Sequence, residues 1–310
     1  MLLLKLIPDH TNIDFVGARY VAFGLDAILF VATLAFLFVQ GLNLGIDFTG
    51  GVLVEVKTEE AIDIGAMRAQ VGSIGFGEAQ LQYFSGGECD IPPDSCVLIR
   101  VQPQEGGSDQ AAATSIQEVL GEGHEFRRVE VVGPKVSGEL FTDGIIATVL
   151  AVIMIAVYVA LRFEWQFGIG AIVATAHDVF ITVGLFTALQ MDFTLASIAA
   201  LLTLAGYSVN DTVVVFDRIR ENRRRYKRMP LKELINISIN QTLSRTVLTG
   251  VTTAIALLPL LMFGGPALFE FAAAILFGIV VGTFSSIYVA GALLIYLPPL
   301  TGITQAVPAE

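Results

Sequence analysis

Six long apolar stretches, separated by short connections and by one long polar segment, set the pattern of the chain. Each stretch is close to the roughly 20 residues that an α-helix needs to cross the hydrocarbon core of a bilayer. The pattern therefore predicts six membrane-spanning helices, with both chain ends on the same side of the membrane. The predicted spans are 20–40, 141–161, 168–189, 194–216, 246–263 and 270–297.

The polar segment 41–140, between the first two spans, carries the patterns of a small folded domain. Alternating and β-branched residues predict strands, and helical segments lie between them. The order β-α-β-β-α-β is the ferredoxin-like arrangement, and the segment is long enough to bury its own core. The predicted strands are 51–57, 78–84, 96–101 and 126–132, and the predicted helices are 60–73 and 108–121.

Basic residues indicate how the spans are oriented. Half of the 18 lysines and arginines lie in 218–245, and Lys5, Arg19 and Arg162 fall on the same side of the predicted spans. Lys and Arg are enriched in cytoplasmic loops, so that side is expected to be cytoplasmic. The domain 41–140, with 16 acidic and 6 basic side chains, is then expected in the periplasm. The predicted division is a cytoplasmic N-terminus 1–19, a first span 20–40, the periplasmic domain 41–140, a five-helix bundle 141–297 with a basic cytoplasmic loop 217–245, and a cytoplasmic tail 298–310.

Composition supports a membrane location and argues against several other classes of function. The chain is 54% hydrophobic and 15% charged, against roughly 25% charged in soluble domains. We therefore predict an α-helical polytopic membrane protein with an α+β ferredoxin-like (βαββαβ) periplasmic domain. The run RENRRRYKR could bind nucleic acid on charge alone, but the topology already explains it. Walker A, HExxH and GxGD motifs are absent from the sequence, so we predict no enzyme activity, cofactor or metal.

The two cysteines, Cys89 and Cys96, both lie in the inserted domain, in the turn-rich segment GECDIPPDSC. An oxidising compartment favours a disulfide between them. Two unpaired thiols and a metal site are the alternatives. We interpret the pair as structural.

Charged residues inside the predicted spans are candidates for function, because a charge at the centre of a span costs roughly 2.5–3.5 kcal/mol. Asp211, in the fourth span, and Arg245, near the start of the fifth, are expected at similar depth and close enough to interact. A static ion pair and a titrating carboxylate in an ion pathway both remain open. The supporting polar face comprises Thr203, Tyr207, Asn210, Thr212 and Thr249.

Two further carboxylates fall inside the spans. Asp178 follows His177 in the third span, and it could pair with Arg162, cap a polar network or join a proton path. Asp26, in the first span, is interpreted as structural. An intramembrane aspartyl protease using Asp178 and Asp211 is disfavoured because GxGD is missing. Small residues in the sixth span predict close helix packing, and these are Gly278, Gly282, Ser285 and Ser286.

Several segments together resemble the SecD/SecF family of bacterial protein-export membrane proteins, and within it the SecF subunits. The most specific is GYSVNDTVVVFDRIRE, whereas GIDFTGG is common to both kinds of subunit. The resemblance covers nearly the whole chain. The matching segments are LNLGIDFTGG (42–51), VGPKVSGEL (132–140), RFEWQFGIGAIVATAHD (162–178), LAGYSVNDTVVVFDRIRENRR (204–224) and SINQTLSRT (238–246).

The resemblance implies a subunit that works with SecD beside the SecYEG channel, often with YajC, in the bacterial inner membrane. It implies that the proton motive force helps to draw a preprotein out on the periplasmic side. Asp211 and Arg245 match proton-pathway positions of the family, and Asp178 falls on the family's HD position. The alternatives are a small-molecule or lipid exporter of the same superfamily and a non-transporting scaffold of the translocase.

Overall fold

Hydrophobic helices form most of the structure, a computed structural model that describes residues 11–74, 79–84, 89, 92–102, 109–121 and 123–298. The first ten residues of the predicted N-terminal segment 1–19, and residues 299–310 of the predicted tail, lie outside this part. Within it, six helices are long and apolar enough to cross a membrane. They are α1 (Phe15–Val39), α5 (Pro134–Arg162), α6 (Trp165–Leu189), α7 (Leu195–Arg225), α8 (Leu231–Phe263) and α9 (Gly265–Ser285), the last continuing through a π-helical turn (Ser286–Ala290) into α10 (Gly291–Leu293).

The six long helices are buried to very different extents. In the most apolar 18-residue stretch of α6, of α7 and of the α9 region, 50–61% is buried inside the protein. The corresponding share in α1, α5 and α8 is 11–17%. The first group therefore forms the centre of the bundle, and the second group forms its periphery. The buried polar side chains of the central helices, such as Asp178 and Asp211, therefore face protein, where hydrogen-bond partners are available.

The helix ends have recognisable local causes. Asp14 caps α1 by accepting a hydrogen bond from the Gly17 amide at 2.8 Å, as N-cap carboxylates do. Thr194 and Ser197 form a capping box at the start of α7. Pro134 opens α5, at a position where the missing N–H of proline costs nothing.

The basic segment 217–245 is not the loop that the charge pattern predicted. It is helical except for residues 226–230, which connect α7 to α8. An Arg218–Glu221 pair with a 2.7 Å contact supports the end of α7. Asn222 donates hydrogen bonds to Ser238 and Gln241 at 2.9 and 2.8 Å and thereby joins the two helices. Both helices thus extend well past the apolar part of the bundle.

The inserted domain has the predicted β-α-β-β-α-β order. Its elements are β1 (Gly51–Lys57), α3 (Ile64–Gly72), β2 (Gln80–Tyr83), β3 (Cys96–Val101), α4 (Asp109–Leu120) and β4 (Glu125–Val132), preceded by the short helix α2 (Ile46–Thr49). The strands form an antiparallel sheet in the order β2-β3-β1-β4.

One face of this sheet packs against α3 and α4, through a core that includes Val54, Ile99 and Ile116. The other face carries Leu53 and Leu98 against α2. Because side chains alternate along a strand, Arg100 of β3 lies on this second face, which is turned towards the bundle. A disulfide joins Cys89 to Cys96, with the Cα atoms 5.4 Å apart.

Candidate functional site

Asp211 lies on α7 at the centre of the bundle, and its side chain is almost fully buried. One carboxylate oxygen accepts a hydrogen bond from the Thr246 hydroxyl of α8 at 2.6 Å. The other accepts one from the Ser286 hydroxyl, at the start of the π-helical turn, at 2.5 Å. Both donors are neutral. The carboxylate therefore joins three elements without an ion pair.

Arg245 was expected to lie at the depth of Asp211 and to interact with it. Among the described residues no ion pair within 4.0 Å joins the two side chains, and Arg245 is exposed on the surface of the bundle. The cause is helix geometry, because one residue along an α-helix turns the side-chain direction by roughly 100°. Thr246 faces the interior, and Arg245 consequently faces outwards at nearly the same depth.

Asp178 of α6 is completely buried and forms a second polar centre. Its carboxylate accepts hydrogen bonds from Ser208 of α7 and, at 2.8 Å, from Ser285 at the end of α9. His177 Nδ1 lies 3.0 Å from the other oxygen of this carboxylate. The structure brings no Arg162 contact to it; that guanidinium lies over the Phe163 ring. Asp178 therefore lies in a polar network, and its part in a proton path stays a prediction.

Ser285 and Ser286 connect the two carboxylates, and sequence reasoning assigned them only to packing. They are adjacent in the chain, yet one donates to Asp178 and the other to Asp211. They stand where α9 passes into a π-helical turn, a rare element that is frequent at functional sites. Two consecutive serines inside an apolar span were the available signal.

The glycines of the sixth span allow this close approach. A Cβ atom added to Gly278 would lie 2.4 Å from Leu204 Cδ2 on α7. One added to Gly282 would lie 3.4 Å from the Asp178 carboxylate. The small residues therefore hold α9 against α6 and α7, as the GxxxG spacing indicates.

The predicted supporting residues divide between the interior and the surface. Thr212 is buried and Tyr207 is half-buried. Thr203, Asn210 and Thr249 are exposed, like Arg245, on neighbouring parts of α7 and α8. Amide and guanidinium groups are costly against lipid, and Asn210 and Arg245 lie exposed on this surface of α7 and α8.

A third polar cluster fastens the inserted domain to the bundle. Arg100 of β3 forms an ion pair with Asp192, in the connection between α6 and α7. Asn43 donates a hydrogen bond to the same carboxylate at 2.7 Å. The Asp192 amide donates to the Glu270 carboxylate of α9 at 2.9 Å. Domain, connection and central helix are therefore linked through one residue.

Across the described residues, no group of three or more His, Cys, Asp and Glu side chains is arranged to hold a metal ion. The polar centres of the bundle instead consist of carboxylates, hydroxyls and one imidazole. Carboxyl and imidazole groups can bind and release protons, and hydroxyls can both donate and accept hydrogen bonds.

Six apolar helices, an inserted ferredoxin-like domain and buried carboxylates at the bundle centre define a multi-pass membrane protein of transporter type. The sequence profile of the protein export membrane protein SecD/SecF, C-terminal, matches residues 112–298, and the SecD/SecF GG motif matches residues 35–62. The chain belongs to the SecD/SecF family.

The relatives share almost the full length of the chain. The protein translocase subunit SecF of Cereibacter sphaeroides is 44% identical over 306 residues, with 95% of this chain and 92% of the relative covered. The protein translocase subunit SecF of Rhodobacter capsulatus is 41% identical, with 95% and 91% covered. These names describe components of protein transport.

A solved structure shares the fold. The crystal structure of SecDF, a translocon-associated membrane protein from Thermus thermophilus, superposes with a TM-score of 0.83 at 36% identity. It covers 94% of this chain, but this chain covers 39% of the SecDF chain. A SecDF structure in a super-membrane-facing form gives a TM-score of 0.65 at 38% identity. This chain thus corresponds to the smaller part of a longer SecDF protein.

Proposed function

We propose that this chain is a SecF subunit that, together with SecD, uses the proton motive force to promote the translocation and release of preproteins on the periplasmic side of the SecYEG channel. The full-length similarity to translocase subunits supports the assignment to protein export. The buried carboxylates support the use of protons. The proposed partners are SecD, SecYEG, YajC, the translocating preprotein and membrane lipid.

The proposed orientation follows from the charges at the two ends of the bundle. The ends of α5 and α7 carry Arg162 and a basic run that includes Arg223, Arg224 and Arg225. By the positive-inside rule this end is cytoplasmic, in the bacterial inner membrane. The acidic inserted domain is then periplasmic, where a preprotein emerges, and its disulfide fits that compartment.

The observation that carries the proton-driven mechanism is the environment of Asp211. A carboxylate bonded only to neutral hydroxyls can gain a proton without leaving a buried cation unpaired. When protonated, it has an O–H to donate, so at least one of the Thr246 and Ser286 hydroxyls must change its role. Protonation therefore acts directly at the junction of α7, α8 and the π-helical turn.

The available energy is sufficient for such a switch. One charge crossing the membrane potential supplies about 2.3 kcal/mol per 100 mV. A two-state bundle is therefore biased by more than about tenfold for each proton that crosses. Repacking of α7 and α8 would pass to the periplasmic domain through the polar cluster at Asp192.

The exposed polar surface of α7 and α8 supports SecD as the neighbour inside the membrane. In a SecDF protein more than half of the chain has no counterpart here, and SecD spans would cover the missing side. Arg245 would then face SecD groups across this surface and would not pair with Asp211 inside one subunit.

The test replaces Asp211 with asparagine, which keeps the shape and removes the titration. Export of a preprotein into inner-membrane vesicles that contain the SecD–SecF complex is measured with and without a proton gradient. We expect Asp211→Asn to abolish the stimulation by the gradient while the complex still assembles. Asp143→Asn, an exposed aspartate of α5, is the matched control and should behave like the wild type.

Full stimulation in Asp211→Asn, at a normal protein level, would refute proton transfer through this residue and favour a scaffold. Transport of a small apolar compound by the chain without SecD would instead favour an exporter.

A further inference from the structure

Three side chains form a linear array between α1 and α6. His177 stands in the middle, with Nε2 lying 3.2 Å from an Asp26 carboxylate oxygen and Nδ1 lying 3.0 Å from an Asp178 carboxylate oxygen. The side chains of Asp26 and His177 are 13% and 12% exposed, and that of Asp178 is 0% exposed. An imidazole thus lies between two carboxylates inside the helical bundle.

With the imidazole neutral and both carboxylates ionised, the three groups have too few protons for the two close contacts. A neutral imidazole has one N–H and one lone pair. With both carboxylates ionised, one ring nitrogen would then face a carboxylate oxygen with no proton between them. Two protons shared among the three groups remove that repulsion and leave the array with a net charge of minus one. The array therefore holds one proton more than a neutral imidazole and two ionised carboxylates hold.

The array is connected to Asp211. Ser285 donates to Asp178 and the adjacent Ser286 donates to Asp211, at 2.8 and 2.5 Å. A change of charge at either carboxylate alters the strength of its hydrogen bond with the serine. The two serines are adjacent in the same helical turn. The two acidic centres are therefore coupled through the end of α9.

The Asp26 end of the array is left open. Within the described part of the chain, both Asp26 oxygens and His177 Nε2 are buried yet make no contact with hydrogen-bond geometry. The Thr175 and Thr212 hydroxyls, on α6 and α7 near the two acidic centres, are also buried without a partner. The 3.2 Å approach of His177 Nε2 to Asp26 is thus a charge contact without hydrogen-bond geometry, and buried polar atoms of this kind need an explanation.

The elements packed around the array carry further ionisable groups. They include Arg19 on α1, Arg162 on α5, Tyr207 and Asp211 on α7, Arg245 on α8, Glu270 on α9 and Tyr288 in the π-helical turn. Arg19 makes its hydrogen bonds with Val16, Tyr20 and Tyr296. Among the described residues, no arginine or lysine forms an ion pair with the array.

We propose that Asp26, His177 and Asp178 form a second proton-binding site, with His177 as its central group, and that this site exchanges protons in step with Asp211. The proposal rests on the proton-driven function proposed above. It assigns His177 and Asp26 a role beyond helix packing.

The first measurement observes the protons directly and needs no transport. The full chain, in complex with SecD in lipid nanodiscs, is labelled with ¹⁵N-histidine. The sequence has three histidines, and His177→Gln and His124→Gln assign the signals. Because imidazole is more basic than a carboxyl group, we expect both ring nitrogens of His177 to carry protons at pH 7.5. Asp26→Asn should change this signal and leave that of His124 unchanged.

The second measurement uses the gradient-stimulated export assay. Asp26→Asn and His177→Gln should each lower the stimulation by about tenfold or more, since a lost proton-transfer group costs at least that much. His124→Gln, in the inserted domain, is the matched control and should keep the wild-type value. Protein level and thermal unfolding are measured for every variant, and stimulation is expressed per folded complex.

The outcomes separate the two proposals. A singly protonated His177 that ignores Asp26→Asn overturns the site, whatever the export assay shows. Wild-type stimulation in Asp26→Asn and His177→Gln, while Asp211→Asn abolishes it, also overturns the site and leaves the proposed function standing. If the wild type shows no stimulation by the gradient, the proton-driven function fails, and coupling between the two sites fails with it.

Discussion

Replacing Arg100 with glutamine removes the cation that fastens the inserted domain to the bundle. The side chains of Arg100 and Asp192 are only 9% and 13% exposed, and removing one partner of a buried ion pair typically costs roughly 3–5 kcal/mol. The hydrogen bond from Asn43 to Asp192 remains. We therefore expect a smaller local cost of about 2 kcal/mol, or about a 30-fold change in the opening equilibrium.

Two amide hydrogens report on this opening. The Phe193 amide donates to the Asn43 carbonyl at 2.7 Å, and the Gly45 amide donates to the Phe193 carbonyl at 2.9 Å. Both bonds cross between the start of the inserted domain and the α6–α7 connection. In Arg100→Gln, hydrogen exchange at both amides should accelerate by about 30-fold, because exchange follows the local opening free energy.

Arg128→Gln provides the matched control within the same sheet. Arg128 pairs with Glu55 and Glu130, but its side chain is 38% exposed, and such pairs contribute about 0–1 kcal/mol. Exchange at Phe193 and Gly45 should be unchanged in this variant. If Arg100→Gln changes the two rates by no more than Arg128→Gln does, the ion pair does not hold the domain. Additive effects of Arg100→Gln and Asp192→Asn would refute a direct interaction in the same way.

Two further substitutions test the packing and the hydrogen bonds of the bundle. Gly278→Ala places a methyl group against Leu204 and should destabilise the purified chain by about 1–3 kcal/mol. In the control Gly206→Ala the new methyl group meets nothing within 4 Å, and the chain should be stabilised by up to about 1 kcal/mol. Equal thermal shifts in the two variants would contradict the α7–α9 contact. Thr246→Val removes one hydrogen-bond donor to Asp211 and should reduce but not abolish gradient-stimulated export. The control Thr148→Val removes a hydroxyl that bonds within α5 and should have no effect. Equal export by both variants would rule out a role for the Thr246 hydroxyl.

The span count and the order of the inserted domain could be predicted because each depends on a local repeat. Twenty apolar residues specify a span, and alternation specifies a strand wherever it occurs. Asp211 could be singled out for a similar reason, since a charge in an apolar span is conspicuous without any knowledge of its neighbours. The length of α7 was harder to predict, because charged residues beyond a membrane span are compatible with either a continued helix or a loop.

The partners of Asp211 could not be predicted, because they depend on the rotation of three helices about their axes. Charge alone favoured Arg245 as the partner of Asp211. The next residue along α8, Thr246, forms the contact instead. Ser285 bonds to Asp178 and Ser286 to Asp211 at the point where α9 passes into a π-helical turn, and the sequence did not predict that turn. His177 stood next to Asp178 in the sequence, but its second carboxylate, Asp26, lies on a different helix more than a hundred residues earlier.

The central helix α9 joins the two buried carboxylate centres to the connection that contacts the inserted domain. Ser285, at one end, bonds to Asp178, and Ser286 follows it to bond Asp211. Glu270, at the other end, accepts the amide hydrogen bond of Asp192. At 1.5 Å per residue these ends are roughly 22 Å apart, and one continuous helix joins them. Repacking at the serines would therefore move Glu270, and with it the connection that holds Arg100 and the inserted domain.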